Sequence, residues 1–157
     1  MFSKSDFSAR LAFWAAKGGK WTALNAGPKQ GDEDPDGFEY HVTVDLSETV
    51  MGFAIYAVTK GKARLIWRGF HYWHELKNKS VYLSLGTAGE ICNGETYHEH
   101  DMYFEILSPD GKVIYILNHD KIVNEDEVIS STRSLVNGEW QKMNIAHWKR
   151  NIINEKE

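Results

Sequence analysis

The chain is short of the residues that mark several protein classes. Of its 157 residues one is a cysteine, Cys92, so no disulfide can form within the chain. That usage fits a reducing compartment. Basic residues are not in excess: 18 Lys and Arg against 22 Asp and Glu leave a net charge of −4. The pI is near 6.0. Neither nucleic acid nor an anionic membrane surface is an expected partner. No apolar run approaches a membrane span, and no apolar stretch follows a basic start as in a secretory signal. The chain has no Gly-rich phosphate loop, no Gly-x-Ser-x-Gly elbow and no His-Glu-x-x-His pair. It has no internal repeat, low-complexity tract or linker. The expectation is one cytoplasmic domain over residues 1–157, large enough for a full core. A homo-oligomer is left open.

Aromatic residues, in contrast, make up 13% of the chain, with six Trp. So much ring surface indicates a deep core, a lined cavity, or both. A helix is expected over about residues 5–17. Phe7, Leu11, Trp14 and Ala15 share one face, Ser5 or Asp6 caps the start, and Gly18-Gly19 ends it. Residues 22–37, with Pro28, Pro35 and several acids, read as a loop. From Phe38 to about residue 150 the chain reads as strands. Phe38, Tyr40, Val42, Val44 and Leu46 alternate with polar residues. Further runs follow at 52–59, 63–74, 80–86, 90–93, 95–107, 112–118, 127–135 and 139–149. Turn chemistry separates them at Lys60-Gly61, Asn78-Lys79, Ala88-Gly89, Asn93-Gly94, Asp110-Gly111 and Asn137-Gly138. This is the pattern of a mainly β, antiparallel up-and-down barrel of about 8–10 strands with one N-terminal helix.

Several strands place polar groups beside rings on the expected inward face. His98 and His100 share a parity with Met102, Phe104 and Ile106. His71 shares one with Leu65, Trp67 and Trp73. Tyr115 and Leu117 lead toward His119, and Ser130 and Thr132 run with Val128. A cavity accommodates this mixture better than a solid core does.

Gly19-Lys20-Trp21 follows the helix and precedes the meander, and Trp148-Lys149-Arg150 closes it. The layout resembles the calycins, meaning lipocalins and lipocalin-like bacterial domains. The resemblance implies a Trp21 that plugs one barrel end beneath Lys149 or Arg150 as a cation–π partner. It also implies a small apolar ligand. A second likeness lies in Gly94-x3-His98-x-His100-x4-Glu105-x5-Gly111, which is similar to the first cupin motif, a two-His, one-Glu metal site. The first gap is three residues where the motif has five, the last is five where it has six, no second motif follows, and strand parity turns Glu105 away from the histidines unless a bulge intervenes. His71 or His119 would have to supply a further ligand. His147 beside Trp148 resembles the axial histidine of haem-binding nitrobindin-like barrels, without further match. Asp32 to Gly37 opens like a calcium loop but lacks its closing Glu and is followed by a strand.

The resulting expectation is binding of a small, largely apolar molecule by Trp67, His71, Trp73, His98, His100, Met102, Phe104 and Tyr115, with no metal or other cofactor. The alternative is a metal-dependent cupin-like enzyme using His98, His100 and Glu105 around a divalent metal, with haem a lesser alternative. No catalytic residue is assigned. Cys92 reads as a buried structural thiol.

Overall fold

The computed structural model describes residues 2–27, 31–45, 49–96 and 101–151. Helix α1 spans Lys4–Ala15. Its cap is Ser3, two or three residues earlier than expected. The Ser3 hydroxyl accepts from the Asp6 amide, and the Asp6 carboxylate accepts from the Ser3 amide, which satisfies two otherwise orphaned donors. Gly18 and Gly19, at φ 86° and 63°, turn the chain out of the helix.

Ten strands follow: β1 (Lys20–Leu24), β2 (Gly37–Asp45), β3 (Val50–Thr59), β4 (Lys62–His74), β5 (Lys79–Gly86), β6 (Ile91–Thr96), β7 (Asp101–Leu107), β8 (Val113–Asn124), β9 (Glu127–Val136) and β10 (Glu139–Arg150). Each pairs antiparallel with its sequence neighbours, and β1 returns to β10, closing the barrel. The barrel therefore begins at Lys20, and β1 takes Thr22, Ala23 and Leu24 out of the stretch expected to be a loop. Asn93-Gly94, expected to be a turn, lies within β6 and pairs with Glu105 and Phe104. The expected strand 95–107 is split between β6 and β7, and His98 and His100 lie outside the described residues. The described α1 is too short to cross a membrane.

The helix closes one end of the barrel. Phe7, Leu11 and Trp14 form a buried cluster with Trp21, Val42, Met51, Trp73 and Val128. Burying a large apolar side chain contributes about 1.5–3 kcal/mol. Trp21 is 0% exposed, and its indole N–H donates to the Trp14 carbonyl at 2.9 Å. Of the two basic candidates, Arg150 is the one that covers it, with the guanidinium carbon 4.1 Å from the ring centroid. The same guanidinium donates to the Phe13, Ala16 and Glu125 carbonyls and to Asp126. Trp21→Ala should lower stability by about 3–5 kcal/mol, seen as a lower denaturant midpoint at unchanged slope.

Candidate functional site

The inward rows of the strands border a partly open cavity of about 230 Å³ beneath α1. Tyr40, Met51 and Ile55 come from β2 and β3, His71 and Tyr82 from β4 and β5, and Met102 and Phe104 from β7. Asn118 and Asp120 come from β8, Ser130 and Thr132 from β9, and Asn144, Ala146 and Trp148 from β10. Arg10 and Trp14 reach in from α1. Phe53 stacks on Tyr82 with centroids 4.8 Å apart, and Phe104 meets Tyr82 edge to face at 4.6 Å. Gly94 is what lets Phe104 lie there: a Cβ at Gly94 would stand 2.3 Å from Phe104 Cδ1.

The polar end of the cavity is built around an ion pair. Arg10 Nη2 donates to Asp120 Oδ2 at 2.7 Å, and the two side chains are only 7% and 6% exposed. Asp120 Oδ1 accepts from Asn118 Nδ2 at 2.8 Å and from Ser130 Oγ at 2.6 Å. Three donors thus hold one buried carboxylate, the arrangement that offsets its desolvation. Arg10 also lies 3.3 Å from Met102 Sδ.

His71 is 1% exposed, with Nε2 at 3.0 Å from Ser80 Oγ and 3.2 Å from Thr96 Oγ1. Burial, with the Arg10 charge adding to it, pushes its pKa down to about 3, so the ring is neutral at physiological pH. Burial pushes the phenol pKa values of Tyr40 and Tyr82 up, which keeps both protonated. Cys92 is 5% exposed, and burial raises its thiol to about 11, so it is not a ready nucleophile.

Of the residues expected at a binding site, His71, Met102 and Phe104 border the cavity. Trp67 lies on the inward row opposite Ile55 and Gly86, beyond the cavity wall. Leu65 leaves that row, because a bulge at Ile66 sets it opposite Tyr56 on the outer face. Trp73 is buried under the helix, against Phe2 and Phe7. Tyr115 is on the outside. It pairs with Glu105 and stacks on Tyr103 at 6.1 Å, while Met102 and Phe104 take the inward positions of β7. The phase of β8 is opposite to the expected one: Ile116, Asn118 and Asp120 are buried, and His119 is exposed with Nδ1 2.6 Å from Asp101 Oδ1. His71 and His119 thus sit on opposite faces of the wall. Glu105 also faces out, as its parity predicts. His147 lies outside, in a groove with Thr22, Leu24, Glu39 and Lys149, and does not reach the cavity. Among the described residues no three His, Cys, Asp or Glu side chains are grouped as metal ligands.

The sequence reading missed Arg10, Tyr40, Tyr82, Asn118, Asp120 and Trp148. One signal was available. Arg10 falls between Phe7 and Trp14 on the buried face of the helix, where a cation requires a partner. No protein-family model matches the chain, and no curated protein matches it.

Two outcomes follow. Asp120→Ala leaves the Arg10 cation buried without its carboxylate, and should cost about 3–5 kcal/mol in denaturant unfolding. The second concerns His71, whose folded pKa lies below its unfolded value near 6.5. Between about pH 6.5 and 3 the unfolded chain binds a proton that the native chain refuses. Stability is therefore lost as pH falls through that window, by up to about 1.4 kcal/mol per pH unit. Unfolding curves of His71→Gln should show a shallower decline than wild type over the same range.

Proposed function

We propose that the chain is a lipocalin-like binding protein that takes a small, largely apolar ligand into the barrel cavity. The observation that carries this reading is the composition of the wall. It combines rings and thioethers with a fixed polar cluster centred on Asp120. The rings and methionines would supply contact area, and His71, Tyr40, Tyr82 and Asn144 would orient a polar end. The likeness to lipocalins is supported by Trp21 lying under Arg150 at the closed end. His98 and His100 belong to the proposal as further recognition residues. The connection that carries them joins Thr96, which contacts His71, to Asp101.

A cavity of about 230 Å³ suits a ligand on the order of ten non-hydrogen atoms, since about 150 Å³ holds one benzene. Native mass spectrometry of protein purified without denaturation should show a small-molecule adduct released on unfolding. Added 3-phenylpropanol should bind, read by ligand-observed NMR and by the fluorescence of Trp14 and Trp148. Phe104→Ala should weaken that binding by about 1–3 kcal/mol. A protein with no adduct and no response to the probe would overturn the reading. Stoichiometric Fe, Mn, Ni or Zn, lost on His100→Ala, would replace it with a metal-dependent enzyme.

A further inference from the structure

The cavity wall carries one cation and one anion among the described residues, and they are spent on each other. Arg10 and Asp120 meet at 2.7 Å, and the second carboxylate oxygen is taken by Asn118 and Ser130. The remaining polar groups that border the space are amides, hydroxyls and the neutral imidazole of His71. From this arrangement we infer that the cavity selects an uncharged ligand, with a hydroxyl, carbonyl or amide as its polar end, and discriminates against carboxylates and ammonium ions of the same shape. The inference rests on the ligand-binding reading above and adds the chemical class of the ligand.

The reason is electrostatic. A ligand carboxylate entering this space loses its hydration and needs a cation in return. Among the described residues Arg10 is the cation within reach, and its partner Asp120 stands at the same wall. To recruit Arg10 the ligand must displace Asp120 or lie beside it, and two carboxylates in one desolvated site repel. Displacement would strand Asp120 with Asn118 and Ser130 as its remaining donors. A ligand ammonium meets the reverse problem, since the Asp120 oxygens are already taken by three donors and Arg10 repels it. An amide or hydroxyl brings no charge to desolvate. It can exchange hydrogen bonds with Tyr40, Tyr82, Asn144 or Thr132, which border the same space. Specificity then comes from rejecting the charged competitor as much as from holding the neutral one.

The test uses compounds that share one hydrocarbon frame: 3-phenylpropanamide, 3-phenylpropanol, 3-phenylpropanoate and 3-phenylpropylammonium. Dissociation constants at pH 7 are measured on the full chain by ligand-observed NMR, with 3-phenylpropanol as the displaced reporter. The amide and alcohol should bind roughly tenfold or more tightly than either ion. Asp120→Asn keeps the side-chain shape but leaves the wall with a net positive charge, so it should move the preference to the carboxylate. The double variant Arg10→Gln, Asp120→Asn restores neutrality and should restore preference for the amide. A wild-type protein that binds the carboxylate or the ammonium as tightly as the amide overturns this inference and leaves the ligand-binding reading standing. Failure of all four to bind overturns both. The wild-type comparison decides the matter even where a variant does not fold.

Discussion

The closing seam of the barrel is thin in backbone terms, and Arg150 is what makes it hold. Strands β1 and β10 are in register at Trp21 with Arg150 and at Thr22 with Lys149. β10, by contrast, pairs with β9 along its length. From that short seam Arg150 lays its guanidinium on Trp21 and donates to the Phe13 and Ala16 carbonyls at the end of the helix. The Phe13 carbonyl belongs to the set that a helix C-terminus leaves without partners, and that of Ala16, just past the helix, also accepts from the Gly19 amide. One side chain therefore satisfies the helix end, covers the plug and joins the first strand to the last. The helix, once fixed in this way, delivers Arg10 to the barrel interior, and the polar end of the cavity follows from that placement.

The sequence made this architecture legible where one face of a strand is apolar and the other polar. In β2 the alternation of Phe38, Tyr40, Val42 and Val44 with Glu39, His41 and Thr43 sets the phase without help. It failed where both faces are alike. In β8, Val113, Ile114, Tyr115, Ile116 and Leu117 are all apolar or aromatic, so periodicity cannot say which row is inside. Asn118 and Asp120 decide it in the structure, and they look like surface residues. Their partner Arg10 lies 110 positions away from Asp120, a distance no local pattern spans. The Asn93-Gly94 dipeptide misled for a related reason. Gly94 serves the close approach of Phe104 across the sheet, and not a turn.

A buried ion pair and its hydrogen bonds are roughly neutral in stability against well-packed apolar residues of the same volume. Packing the helix onto the barrel did not require one. What the pair does supply is register, because Arg10 finds its partner at one rotation and one depth of α1 while apolar contacts would tolerate several. Registration alone, however, would be served equally well by a pair enclosed in tightly packed side chains.

The open space beside the pair is the part that registration does not explain. An empty apolar void costs about 24 cal/mol per Å³, so a fully enclosed apolar space of about 230 Å³ would correspond to ~5.5 kcal/mol, an upper bound for this partly open and partly polar one. That is comparable to the whole stability of many domains. Water can relieve the cost near Asp120, Asn118 and Ser130, where donors and acceptors are at hand. It cannot do so against Met51, Ile55 and Phe104, which offer it no partner. An occupant of the kind proposed above, with one apolar body and one neutral polar end, would relieve both sides at once.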